Sequence, residues 1–197
     1  MLNIKITVGI ISAIIGSLAF IPYLRDTFSL KTKPHAYTWL IFTITQGTAV
    51  TGILYGQGGW GGLNLIIGTL LVFSVFLFSL KYGTKNITKS DTIILILAIL
   101  AILVWWQLHQ PAYAVLMVTF IDFLGYLPSF RKSFREPWSE TLISWAAFAA
   151  SDIFALMALK EYNILTVTYL LMIASVNTVF FIFCLSRRSF VAKPVSD

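Results

Sequence analysis

Ile21-Pro22-Tyr23-Leu24-Arg25-Asp26-Thr27 and Leu127-Pro128-Ser129-Phe130-Arg131-Lys132-Ser133 are two versions of one segment, set 106 residues apart. Working outward, the same offset carries Leu18 to Leu124, Phe20 to Tyr126, Phe28 to Phe134 and Thr38 to Ser144. It also carries Trp39 to Trp145, Phe42 to Phe148, Ala49 to Ala155 and Lys81 to Arg187, with no gap anywhere. An internal repeat decides the architecture before any local motif does.

The repeated material is apolar. Of 197 residues, 58% are hydrophobic and 11% charged, and the mean hydropathy is +0.85. A soluble domain carries about 25% charged residues, so these values describe a membrane protein. The net charge of +6 does not point to nucleic acid, because the basic residues sit in short loops between apolar runs. A lone cysteine, Cys184, excludes an internal disulfide.

Apolar runs of spanning length read at about Ile4–Leu24, Ala36–Tyr55, Gly62–Leu80, Thr92–Leu108, Ala112–Leu127, Thr141–Leu159 and Ile164–Leu185. Turn-like breaks separate them, such as Lys-Thr-Lys-Pro and Arg-Glu-Pro-Trp. Arg25, Lys31 and Lys33 follow the first run, and Lys81, Lys85 and Lys89 follow the third. Arg131, Lys132 and Arg135 follow the fifth, and Arg187, Arg188 and Lys193 the seventh; only Lys5 and Lys160 fall on the other side. The positive-inside rule then predicts an outside N-terminus and a cytoplasmic C-terminus. Trp60, Trp105, Trp106 and Tyr113 are expected at the outer interface. The first run lacks a convincing cleavage site, so it is expected to stay as a span rather than leave as a signal peptide.

The expected fold class is all-α, a polytopic membrane protein of seven transmembrane helices. Three-span units are odd, so a single intervening span is needed to bring both copies into the same orientation. The apolar stretch Ile93–Val104 has no repeat partner and suits that role. This predicts a parallel 3+1+3 layout: a three-helix bundle over 1–85, a linker helix over 86–110 and a second bundle over 111–197. Parallel repeats with a site at their interface form a transporter plan.

These residues resemble the PQ-loop and SWEET transporter group. The group has the same layout, with a proline near the inner end of spans one and five, here Pro22 and Pro128. The namesake glutamine is Tyr23 in one copy and Ser129 in the other. The resemblance implies alternating access around a central site, hinges at Pro22 and Pro128, and binding asparagines in spans three and seven. Asn64 and Asn177 are the available candidates, although the offset aligns them with Leu170 and Leu71. Physics alone leaves a second reading of each proline, as a simple helix end before a basic loop. Helix–helix hydrogen bonding would likewise account for each asparagine.

Asp122 and Asp152 lie within spans five and six, where a charged carboxylate costs roughly 2.5–3.5 kcal/mol. No lysine or arginine occurs at comparable depth, so protonation is the cheaper state and proton coupling a physical option. A neutral carboxyl hydrogen-bonded within the bundle is the competing reading. Asp152 is the repeat partner of Gln46, and each lies seven residues after its tryptophan, Trp145 or Trp39. That spacing puts ring and polar group on one helix face, suited to a small polar solute such as a sugar, amino acid, vitamin or nucleoside. The alternative makes Trp39 and Trp145 inner-interface anchors.

Other motifs carry no chemistry. Gly56-x-Gly58-x-x-Gly61 has no strand before it, and Asn86-Ile87-Thr88 falls on the inner face. His35 and His109 lie on opposite sides, so no metal site or cofactor is expected. A retinal protein needs a lysine deep in its last helix, and none is there. Neither acid sits in a Gly-x-Gly-Asp setting, so an enzyme is not expected. The leading expectation is a transporter in a bacterial inner membrane, partnered by the lipid bilayer and a small solute, with self-association open. The alternative is a non-transporting receptor or assembly module on the same scaffold.

Overall fold

The computed structural model describes residues 2–84, 87–108 and 110–193. Lys85, Asn86, His109 and the side chains of Trp105 and Trp106 lie outside the described residues. The chain folds into α1 (Leu2–Phe28), α2 (Ala36–Tyr55), α3 (Leu63–Tyr82), α4 (Lys89–Leu108), α5 (Pro111–Gly125), α6 (Leu127–Arg135), α7 (Leu142–Ala158) and α8 (Ile164–Arg188). Short 3-10 turns, Gly59–Gly62 and Pro137–Ser139, lead into α3 and α7. Among the described residues there is no strand, only a bridge between His35 and Thr84. Helices meet the demand of an apolar surround, because each satisfies its own backbone polar groups.

Among the described residues, four stretches are long and apolar enough to cross a membrane: Asn3–Phe28, Gly59–Tyr82, Pro111–Arg135 and Ile164–Arg188. α7 is apolar but 17 residues long. α2 carries five threonines and Gln46 in its 20 residues. Thr43 and Thr48 return their hydroxyls to carbonyls four residues back, so their polarity is met inside the helix. Large apolar side chains cover the outside, among them Leu18, Ile21, Leu70, Met157, Leu171 and Ile182. A contiguous apolar exterior of this kind suits an integral membrane protein. Trp60 and Tyr113 are exposed, Trp60 in the turn before α3 and Tyr113 in the first turn of α5.

α1 packs chiefly on α7 and α3, α2 on α3 and α5, and α8 on α7 and α5. α4 leans on α5 and α2. α1 and α7 are tied at both ends. Lys5 Nζ donates to the carbonyl of Leu159 at 2.5 Å, and Thr141 Oγ1 donates to Asp26 Oδ2 at 3.0 Å.

The two prolines behave differently. α1 runs unbroken through Pro22 to Phe28, which overturns the reading of Pro22 as a helix end. At Pro128 the helix does break: α5 stops at Gly125 and α6 begins at Leu127, with the proline in its first turn. A first-turn position needs no N–H, so proline sits there without penalty. In α1 it removes an internal hydrogen bond. Pro22→Ala is therefore expected to stabilise the protein by about 1–3 kcal/mol and Pro128→Ala to leave it nearly unchanged. Thermal unfolding in detergent checks this; equal shifts for both variants would contradict it.

Candidate functional site

Six helices enclose a cavity at mid-depth. Trp39, Gln46, Asn64, Trp145, Asp152 and Asn177 all border it, and so does Asp122. Pro22 and Pro128 are not part of its lining. Both members of five offset pairs contribute to the wall: Gly16 with Asp122, Phe20 with Tyr126, Trp39 with Trp145, Phe42 with Phe148, and Gln46 with Asp152.

The ring contacts recur in the same pairs. Phe20 and Phe148 have centroids 4.8 Å apart, and their counterparts Tyr126 and Phe42 are 4.5 Å apart. Phe20–Trp39 and Tyr126–Trp145 measure 6.3 and 6.2 Å. Trp39–Phe42 and Trp145–Phe148 measure 5.9 and 5.8 Å. The tryptophans themselves meet at 6.5 Å. Trp39 and Trp145 are only 3% and 2% exposed, so they are not interface anchors; they close the cavity floor. Tyr23, where the resembling group carries glutamine, tilts against Trp39 at 5.0 Å and Trp145 at 6.4 Å, adding a third ring.

Asp152 is buried and held by amides. Asn64 Nδ2 donates to Oδ1 at 3.2 Å and Asn177 Nδ2 to Oδ2 at 2.7 Å. Tyr126 OH donates to Asn177 Oδ1 at 2.7 Å. Two N–H donors on two oxygens suit an ionised carboxylate. If the carboxyl takes up a proton, a half-turn of the Asn177 amide offers it an acceptor and gives Tyr126 a donor. The asparagines are out of register in the sequence, yet they converge on Asp152 because α3 and α8 both contact α7.

Asp122 accepts from Thr45 Oγ1 and from the Tyr169 hydroxyl. Gln46 is half-buried at the cavity, and no described residue hydrogen-bonds its amide. Gly16 allows the close approach around Asn64. A Cβ there would run into Asn64 Oδ1 and lie 2.7 Å from Ser151 Oγ. Gly16→Ala is thus expected to push Asn64 off Asp152 and cost about 1–3 kcal/mol. Thermal unfolding measures this, and an unshifted midpoint would contradict the packing.

Below the ring floor, at the end carrying Arg25, Arg131 and Arg187, lies a polar belt. Lys132 forms a buried ion pair with Glu140 and donates to the carbonyl of Lys33 at 2.8 Å. Glu140 also accepts from Trp145 Nε1 at 2.9 Å, tying the belt to the floor. Thr32 and Thr141 share a hydrogen bond of 2.5 Å. Asp91, just before the fourth apolar run, takes Arg131 on both oxygens at 3.1 and 2.8 Å, with His35 Nε2 at 3.3 Å.

Burial acts to raise the Asp91 carboxyl, but hydrogen bonds from Arg131 and Thr88, with His35 nearby, outweigh it and hold the group below its ordinary range. A carboxyl lowered by folding stabilises the fold above its unfolded range and loses that contribution as pH falls through the lowered value. Asp91→Asn should therefore flatten the loss of stability below about pH 4. Unfolding midpoints across an acid series test this; an unchanged acid slope would count against it.

The belt and Tyr126, Tyr169, Thr45 and Gly16 were not singled out as site residues in the sequence. Tyr126 and Gly16 were findable as the offset partners of Phe20 and Asp122. Tyr169 carries no such signal, since its partner is Leu63. No family model, curated protein or solved structure matches this chain significantly.

Proposed function

We propose that the protein is a membrane transporter for a small polar solute, working by alternating access. In this reading the chain is a divergent relative of the PQ-loop and SWEET group, with seven spans arranged 3+1+3. α1–α3 form one bundle, α5–α8 the other, and α4 is the linker; the N-terminus faces outward. The observation that carries the proposal is the cavity wall built from both members of five offset pairs. The packing is consistent with it, because exchanging the halves turns α1–α7 contact into α5–α2 contact and α2–α3 into α7–α8.

The occupant meets polar groups at mid-depth, namely the Gln46 amide and the Asp152 and Asp122 carboxylates. Passage towards the basic end requires the Tyr23–Trp39–Trp145 floor and the belt beneath it to part. At the opposite end Asn163 Nδ2 holds the carbonyl of Gly56 at 3.0 Å, and Lys5 holds that of Leu159. Rocking the bundles would break one set of contacts while the other holds. Reconstitution into liposomes and an uptake screen over labelled polar solutes tests the proposal. Flat uptake for every solute would end it.

A further inference from the structure

We infer that the cavity takes a small organic cation with no carboxylate of its own, of the alkylammonium or quaternary-ammonium class. This rests on the transporter reading and narrows its substrate.

Charge comes first. The lining includes Asp122 and Asp152, and among the described residues it includes no lysine, arginine or histidine. Two cations at the basic end are paired outside the cavity, Lys132 with Glu140 and Arg131 with Asp91. A solute carboxylate would therefore enter a low-dielectric site holding two acids and no counter-charge, which is strongly unfavourable. That excludes anions and disfavours zwitterionic amino acids. A cation meets the opposite situation.

The wall chemistry agrees. Phe20, Trp39, Phe42, Tyr126, Trp145 and Phe148 surround the space, and aromatic rings attract cations, more strongly when water is excluded. Asp152 spends two hydrogen-bond positions on Asn64 and Asn177. A carboxylate has about four such positions, so capacity remains for an alkylammonium N–H or for the hydroxyl of a quaternary-ammonium alcohol.

Charge balance follows. An empty site with both acids ionised is costly in the bilayer, so without a cation one of the two carboxyls carries a proton, which cation entry displaces and cation exit returns. The titratable groups bordering the cavity are Asp122, Asp152, Tyr126 and Tyr169; α1, α2 and α3 contribute none to the lining.

The test is a charge series of near-equal shape, measured by calorimetry on the full chain in lipid nanodiscs. The probes are choline, its neutral isostere 3,3-dimethylbutan-1-ol, and the zwitterion glycine betaine. Choline should bind at least about tenfold more tightly than either analogue, and more weakly as pH falls. Asp152→Asn should erase that preference; Asp152→Glu, keeping the charge, should retain it. Equal binding of the neutral isostere or of betaine overturns the inference. So does the absence of binding by all three probes when liposomes still take up another polar solute, an outcome that leaves the transporter reading standing. Absence of any uptake by any solute removes both.

Discussion

Asp152→Asn is expected to reduce solute uptake into liposomes at least about tenfold while leaving the protein folded. The two effects separate because of the local hydrogen bonding. In the native site Oδ1 and Oδ2 each accept an amide N–H, from Asn64 and Asn177. An asparagine presents one acceptor and one donor, so one neighbouring amide must turn to meet it. Asn177 can do so, because Tyr126 OH on its other side serves as donor or acceptor. The stability cost then stays near that of one rearranged hydrogen bond, about 1 kcal/mol. The charge at this position, however, is gone, and with it any proton Asp152 could release. Uptake equal to wild type, measured alongside an unchanged unfolding midpoint, would remove Asp152 from the mechanism.

Lys132→Met should be the most destabilising single change in the polar belt, by about 3–5 kcal/mol. Lys132 and Glu140 side chains are 6% and 2% exposed, so removing one partner strands a buried charge. Glu140 keeps the Trp145 indole N–H, which meets part of its hydrogen-bonding need and none of its charge. The double variant Lys132→Met with Glu140→Gln should recover most of the loss, since no buried charge remains. A double-mutant cycle of unfolding free energies measures the coupling. Additive effects would mean that the pair is not a unit. Because Lys132 also holds the Lys33 carbonyl of the first half, the single variant should loosen closure at the basic end as well.

Helix membership was largely legible. α2 begins and ends where the apolar run does, at Ala36 and Tyr55. α8 opens at Ile164 behind Asn163, whose side chain caps Leu165 and Thr166 at 2.9 and 3.3 Å. Its reciprocal partner is Thr166 Oγ1, which accepts from the Asn163 N–H. The break between α5 and α6 was not legible, because Pro22 sits in the same local sequence and leaves α1 intact. Gln46 and Asp152 stood out as polar residues in apolar runs. Asn64 and Asn177 did not pair on paper, since the offset sets leucines against them. Lys132 read as a loop charge, and the structure buries it with Glu140 beside the turn Pro137–Ser139.

The amino-acid order alone therefore settled which segments are apolar enough to leave water, where they stop, and that two stretches echo each other. Packing decided which side chains look at one another. The reason is that helices such as α3 and α4 are apolar all round, with no polar stripe to say which face turns inward. Their rotation is set by contacts with neighbouring helices. The same contacts bring Asn64, Asn177 and Asp152 together and place two carboxylates in a ring-lined space.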